Sequence, residues 1–427
     1  MMIILTGLSF IIWIWLFFFH GRFWSRGPIL QPISPTEQFK CKRWPDVYII
    51  VPARDEAKTI EQVTLSLLQQ DYLGKYQILV VDDDSQDGTG DIVHRCRQDL
   101  SEDQQGKLTV ICTPPRPSGW SGKLWALSHG IDYIERQYKP ENAYFFFTDA
   151  DIVHEPSHLA TLVDKAETDQ LDQVSEMVQL RCQSFFERAF IPAFVYFFCM
   201  LYPFSKVNKS STSIAAGAGG TVLIRQYALA KIGGISALKT ALIDDVTLAS
   251  LVKKSGGKIY LGHSRLARSL RTYERITDVW DMITRTAYVQ LRYSLFWLLL
   301  TICLMSMMWF FPFIHIFTIN GIARKIAMAT YFISILSFIP TLSRFGISFL
   351  WIFALPAIAL FYLTATIGSA LNYYRGKGMM WKGRAYVTPA IGVENKELQI
   401  DFEDLGASEK INSSVEPVKA KDDRHDL

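Results

Sequence analysis

The clearest chemistry in this chain lies in Phe145-Phe146-Phe147-Thr148-Asp149-Ala150-Asp151. A short apolar run, of a length that suits a buried strand, ends in two carboxylates with one residue between them. Side chains alternate faces along a strand, so Asp149 and Asp151 can point the same way. Two hard oxygen ligands at the carboxyl end of a buried strand suit a divalent cation carrying a phosphate, and hence a nucleotide-diphosphate site.

Other acids recur at similar places. One apolar run ends in Val51-Pro52-Ala53-Arg54-Asp55-Glu56, and a second in Val81-Asp82-Asp83-Asp84-Ser85-Gln86-Asp87-Gly88-Thr89. Acids there can accept hydrogen bonds from a base N–H or from ribose hydroxyls, although the second run could equally be a turn followed by a helix cap. Ser118-Gly119-Trp120-Ser121-Gly122-Lys123 is a loop running into a helix. Its backbone N–H groups and Lys123 could hold a phosphate, or Lys123 could simply be solvated. The spacing is not that of a P-loop. Ala215-Ala216-Gly217-Ala218-Gly219-Gly220 lets a backbone approach a ligand closely. In Leu242-Ile243-Asp244-Asp245-Val246-Thr247-Leu248-Ala249 two acids open a helix that ends near Gly256-Gly257. They are either charges favoured by the helix dipole or include a general base. A base of ordinary pKa would serve, because an alcohol gives up its proton only as the new bond forms.

An alternating α/β sheet with crossover helices can position these pieces. The pattern predicts strands over Val47–Val51, Gln77–Val81, Leu108–Cys112 and Ala143–Thr148. It predicts helices over Glu56–Gln70, with Leu65, Leu67 and Leu68 inward, and over Asp87–Gln98 and Lys123–Tyr138. A net charge of +3 over 427 residues leaves no general nucleic-acid footprint. The cysteines form no CxxC pair, which argues against a zinc site or a disulfide frame.

Apolar residues concentrate at 1–19 and 294–372. Ile3–Phe19 is followed by His20, Arg22 and Arg26, which reads as a retained anchor with residue 20 onward in the cytoplasm. Leu295–Ile319, Ile326–Leu342 and Ile347–Tyr373 are further spans, the middle one short for the purpose. Three full crossings would put the end of the chain outside. Arg375, Lys377, Lys382 and Arg384 argue that it stays inside, so one segment must be re-entrant or interfacial, or fold back. Ala189–Phe204 reads as an interfacial or a buried helix. From Glu394 the chain is polar and reads as disordered.

Taken in order, Val-Pro-Ala-Arg-Asp-Glu, Val-Asp-Asp-x-Ser-x-Asp-Gly-Thr, Gly-Lys, Asp-x-Asp and the acidic pair before a Leu-Ala helix resemble the inverting, family 2 (GT-A fold) glycosyltransferases, over about residues 46–292. The membrane layout, the Arg285–Tyr293 segment and Trp381-Lys382-Gly383-Arg384 are most similar to the hopanoid-biosynthesis-associated members; ceramide and carotenoid glycosyltransferases resemble it less. The resemblance implies an α/β, GT-A (Rossmann-like) nucleotide-sugar domain at 46–265 with an N-terminal anchor at 1–21. Interfacial helices at 266–293, C-terminal transmembrane helices at 294–373 and a cytoplasmic tail at 374–427 would follow. It implies a UDP-sugar donor held by Pro52, Asp55, Asp82, Asp83, Lys123, Asp149, Gly219, Asp244 and Arg292. Asp151 would bind Mg²⁺ or Mn²⁺, and Asp245 would be the base for a lipid acceptor. The enzyme would be a multi-pass protein of the cytoplasmic membrane with its catalytic domain facing the cytoplasm. Many processive members carry Gln-x-x-Arg-Trp. Here Arg292-Tyr293 replaces Arg-Trp, Val289 stands where Gln would be and Gln290 is off by one, which weakens a polysaccharide-synthase reading. A non-catalytic scaffold would have no need of the full set of acids. Arg265, Arg268, Arg271 and Arg275 form a basic row for lipid headgroups or the donor diphosphate, or a solvated helix face.

Overall fold

The structure, a computed structural model, describes residues 2–34, 44–376, 380–381 and 384–385. The described part of Met1–Val387 forms one compact unit; Thr388–Leu427, which includes the segment from Glu394, lies wholly outside the described residues, as do Lys377 and Lys382.

The chain begins with helix α1 (Met2–Phe19). Strands β1 (Val47–Ala53), β2 (Tyr76–Asp82), β3 (Leu108–Cys112) and β4 (Tyr144–Thr148) then alternate with helices α2 (Ile60–Leu68), α3 (Thr89–Gln98) and α4 (Gly122–Tyr138). The expected strands are all present. Two helices begin later than expected, because Asp55–Thr59 and Asp87-Gly88 are spent on turns. Leu67 and Leu68 are buried, but Leu65 is on the solvent face. β5 (Ile152–His154), helix α5 (His158–Thr168), β6 (Gln173–Gln179), β7 (Thr221–Arg225) and β8 (Ile259–Ser269) complete the sheet, in the order β3-β2-β1-β4-β7-β6-β8-β5.

The central strands are parallel and covered on both faces, so they read as nearly continuous apolar runs. Alternate residues feed opposite layers. Tyr48, Ile50, Leu79, Val81, Phe145 and Phe147 enter one core; Val47, Ile49, Val51, Ile78, Val80 and Phe146 enter the other. Gly130 lets α4 lie on the sheet, since a Cβ there would stand 2.9 Å from Ile50. Strand order reverses between β1 and β4, the place where open α/β sheets take ligands. β1 pairs with β4 only through Ile50 but with β2 through Ala53, so a crevice opens beside Pro52, which has no N–H to offer.

α1 and most of the helices that follow form a third core. α6 (Phe185–Leu201) starts at a capping box in which Ser184 accepts from Glu187 N–H and Glu187 accepts in return. α7 (Asp244–Lys254) precedes β8. α8 (Ile276–Thr284) and the single turn α9 (Ala287–Gln290) lead to α10 (Leu295–Thr318), which contains a π-turn at Ser306–Phe310. α11 (Ile322–Phe345) and α12 (Leu355–Tyr374) follow. The short middle segment is thus a 24-residue helix, longer than its apolar stretch because Arg324 and Lys325 lie in its first turn. Among the described residues five helices, at Met2–Phe19, Phe185–Val207, Leu295–Thr318, Ile322–Phe345 and Phe349–Tyr374, are long and apolar enough to cross a membrane.

Hydrogen bonds set their directions. Thr6 lies 2.7 Å from His315 near the end of α10, while Arg344 at the end of α11 donates to the Arg26 carbonyl at 2.9 Å. α1 and α11 therefore run the same way and α10 runs against them. α12 starts just after the end of α11. Its last turns meet α8 and α9, where Ser369 donates to Thr284 O and accepts from Tyr288 N.

Candidate active site

The carboxyl ends of β1 and β4 and the start of α7 converge on a cavity of about 590 Å³. Asp149 and Asp151 stand on the turn after β4, held from behind by a buried polar chain. Thr148 Oγ1 is 2.9 Å from His154, which is 2.8 Å from His158, which is 3.0 Å from Glu176. Each strand-end acid has a fixed cation. Lys123 Nζ, in the first turn of α4, lies 2.9 Å from Asp149 and 3.4 Å from Asp244. Arg271 lies 2.8 Å from Asp151 and 3.2 Å from Glu56. Burial alone would pull the Lys123 ammonium down, but Asp149 and Asp244 outweigh it and hold its pKa above the ordinary value. Arg271 behaves likewise: burial lowers, Asp151 raises, and the net shift is upward. Burial pushes the Asp151 carboxyl up against the pull of Arg271.

Asp245 is different. Its Oδ2 accepts from Gly219 N–H and its Oδ1 from its neighbour Val246 N–H, both at 2.8 Å. Burial pushes its carboxyl up and the charge of Asp244 adds to this. Lys123 and the two N–H groups pull back, leaving it at about 7. A group poised there can take a proton near neutrality, which a carboxylate of ordinary pKa does less well. The glycines explain the approach. A Cβ at Gly219 would stand 3.2 Å from Lys123 Nζ, and one at Gly217 would stand 2.9 Å from the Asp245 carbonyl oxygen.

Pro52, Lys123, Asp149, Asp151, Gly219, Asp244 and Asp245 all line the cavity. Asp55, Asp82, Asp83 and Arg292 are not among its lining residues. Asp82 is turned onto its own loop and accepts from Ser85 N–H at 3.0 Å. Asp83 accepts from Thr113 and pairs with Arg54. Asp55 accepts from Gln86 N–H at 2.8 Å. Arg292 sits at φ 53° in the turn after α9, while its neighbours Arg285 and Gln290 reach the cavity. Gln290 donates to the Tyr202 hydroxyl, another lining group.

Sequence reasoning missed Arg54 and Glu56 as site residues and named Arg271 only as one of a basic row. Arg54 and Glu56 flank Asp55 in a segment already singled out. Arg271 belongs to the basic row, which lies on β8 and the stretch after it rather than on a helix. Strand geometry scatters that row: Arg271 faces the acids, whereas Arg265 and Arg268 face away as exposed side chains.

The donor set suits a hard divalent cation, with Asp149, Asp151 and Glu56 presenting oxygens at the cavity floor. Among the described residues no three His, Cys, Asp or Glu side chains converge closely enough to hold a metal alone. Phosphate oxygens of a bound ligand would have to complete the set, as is usual for Mg²⁺ at nucleotide sites.

The cavity continues away from the acids between the helices. There it is lined by Phe194, Phe197, Met305, Met308, Trp309 and Tyr362.

Comparison with known proteins agrees with this geometry. The model of the Glycosyl transferase family 2 family matches residues 48–233. Among solved structures, the mannosyltransferase PcManGT from Pyrobaculum calidifontis in complex with GDP-Man and Mn²⁺ is 18% identical, with a TM-score of 0.50 over 87% of this chain and 98% of that one. Glucosyl-3-phosphoglycerate synthase from Mycobacterium tuberculosis, in complex with Mn²⁺, uridine-diphosphate-glucose and phosphoglyceric acid, is 15% identical. It covers 60% of this chain and 83% of that one with a TM-score of 0.37. No curated protein matches. Residues 48–233 are thus similar to the family 2 glycosyltransferases, and the mixed α/β sheet that holds them has the GT-A fold.

Proposed function

We propose that this protein is an inverting glycosyltransferase of the cytoplasmic membrane that moves a sugar from a UDP-sugar to the hydroxyl of a membrane lipid, of the hopanoid type or similar. The observation that carries this reading is the single cavity that joins the acid cluster to the helices. One end suits a nucleotide diphosphate, and the other suits the apolar body of a lipid.

Asp55 and Asp83, with Asp82 bracing the loop, would hold the nucleoside. Asp149 would contact the nucleotide. Asp151, with Asp149, would hold Mg²⁺ or Mn²⁺, whose Lewis acidity would steady the charge of the departing diphosphate. Lys123 and Arg271 carry the positive charge that faces the same diphosphate. Arg292, just outside the cavity, would add to that charge from the turn after α9. Asp245 takes the proton of the acceptor hydroxyl as its oxygen attacks the anomeric carbon from the face opposite the leaving group. Asp244 keeps Lys123 in place between donor and base.

α1, α10 and α11 would cross the bilayer, while α6 and α12 lie at its cytoplasmic face. α12 starts just after the end of α11 and its last turns meet α8 and α9, so the tail would stay in the cytoplasm and the number of full spans would be odd. Residues 1–21, 46–265, 266–293, 294–373 and 374–427 would be anchor, catalytic domain, interfacial segment, membrane helices and tail, with β8 running a few residues past 265. A cysteine placed at Arg375 should react with an impermeant maleimide only from the cytoplasmic side; labelling from outside would sink this topology.

The test of the activity is transfer by the purified protein. Radiolabelled UDP-sugars, Mn²⁺ and a lipid extract should yield a lipid carrying one sugar. A product that lengthens with time would make it a polymer synthase. Nucleotide binding indifferent to metal, with no transfer to any lipid, would leave only a scaffold.

A further inference from the structure

A second cavity, of about 450 Å³, lies where α1 ends. Arg22, Arg26, Ser205, Asn208 and His263 line it, no Asp or Glu does, and it shares no lining residue with the catalytic cavity. The loop that carries its arginines is tightly seated. A Cβ at Gly21 would stand 2.8 Å from Ser205 Oγ, and one at Gly27 would stand 2.9 Å from the His263 ring, and both glycines have positive φ. Arg26 donates to Ser343 Oγ at 3.0 Å, and Arg344 donates to the Arg26 carbonyl at 2.9 Å, so the last turn of α11 is fastened to this loop. The charges of Arg26 and Arg265 both bear on Arg344.

These three arginines contrast with the paired ones of the fold. Arg54, Arg181, Arg225 and Arg271 each sit against a carboxylate. Among the described residues, Arg26, Arg265 and Arg344 have none within 4.0 Å. Like charges gathered without a counter-ion repel, and Arg344 has also given up part of its hydration. The group lacks an anion. Guanidinium groups match the oxygens of a phosphate in pairs. Trp15, Phe18 and Phe19 are exposed on α1 just before the loop, and Trp24 stacks on Phe17 at 4.4 Å. Such aromatics mark the level of lipid headgroups. Juxtamembrane arginines attract anionic lipids at that level.

We propose that Arg26, Arg265 and Arg344, with the cavity beside them, hold the phosphate of an anionic membrane lipid and so fasten α1, α11 and β8 together. The site is separate from the lipid acceptor's cavity, and it rests on reading α1 and α11 as membrane spans.

The experiment is thermal unfolding of the purified full chain in neutral detergent doped with phosphatidylglycerol or with phosphatidylcholine. Phosphatidylglycerol should raise the melting temperature by several degrees more than phosphatidylcholine. Arg26→Gln/Arg344→Gln should abolish that difference, and Arg265→Gln, at an exposed position that the fold tolerates, should reduce it. An undiminished difference in Arg265→Gln and in the double variant would overturn the site. The same rise from inorganic phosphate alone would also overturn it, assigning a soluble anion instead. Release of the wild-type protein from membranes by carbonate would overturn the spanning reading beneath it, a result that the melting experiment does not depend on.

Discussion

At the sheet end of the catalytic cavity every lining carboxylate is answered by a side-chain cation or by backbone N–H groups: Asp149 by Lys123, Asp151 by Arg271, Asp245 by Gly219 and Val246. At the helix end Phe197, Met305, Met308 and Trp309 offer almost nothing polar. The contrast separates two tasks. Charges in a partly dry site act strongly on one another, so the polar end must be built with fixed partners. The apolar end needs only volume, and a lipid chain buried there, as proposed, would gain affinity without direction. Within the polar end there is a finer contrast. Burial pushes the Asp151 carboxyl up against the pull of Arg271, a cation that does not titrate, whereas burial and the charge of Asp244 push Asp245 up to about 7, where it can exchange a proton.

The sharpest way to break this comparison is to remove the proton acceptor. Asp245→Asn should lower kcat by ~10²–10⁴-fold, the usual range for a general base, with nucleotide affinity nearly unchanged. Undiminished turnover by a folded variant would move the base elsewhere. Asp151→Asn should cost ~10²–10³-fold, on the scale of losing a group that steadies transition-state charge, and should abolish the gain in UDP affinity that Mn²⁺ brings in calorimetry. If metal-dependent binding survived in that variant, Asp151 would not be its ligand.

The apolar end is probed by filling it. Met305→Trp should raise the KM for a lipid acceptor by about tenfold, roughly 1.4 kcal/mol of lost acceptor binding. Slow hydrolysis of the donor should continue unchanged. An equal effect on both reactions would mean that the two ends are not separate.

How far the sequence revealed this arrangement follows the same division. Acids at strand ends are local signals, because strand length alone puts Asp149 and Asp151 just past the end of β4 without reference to the rest of the chain. Lys123 and the Asp244-Asp245 pair were legible for the same reason, each opening a helix after a loop. Arg271 was not legible as a partner of Asp151. The pair is joined only when β8 runs antiparallel to β5, a long-range pairing that leaves no local pattern. The raised pKa of Asp245 was equally out of reach, since it depends on burial and on the charge of Asp244 outweighing the pull of Lys123. The helix count was legible, but the placement of α12 was not. Its composition is that of a span, and only its hydrogen bonds to α8 and α9 show where its far end lies.

The smallest expected effect concerns stability and tests the finer contrast directly. An aspartate titrates near 3.9 in an unfolded chain. Asp245 titrates at about 7 in the fold, so between those values the native state binds the extra proton. Stability then falls as pH rises through that interval and is level above it. Asn cannot ionise, so Asp245→Asn escapes the loss but gives up one of the two N–H contacts at every pH. The quantity to read is therefore the difference in melting temperature between variant and wild type, followed from pH 5 to pH 8. It should shift in favour of the variant by a few degrees, on the order of 1–2 kcal/mol once solvent screening in the open cavity is allowed for. Asp151→Asn loses its pairing with Arg271, a cation at every pH in this range, and its curve should lie below that of the wild type throughout. Parallel curves for Asp245→Asn would mean that this carboxylate is as firmly charged as its neighbours, and a proton acceptor of ordinary pKa would then suffice.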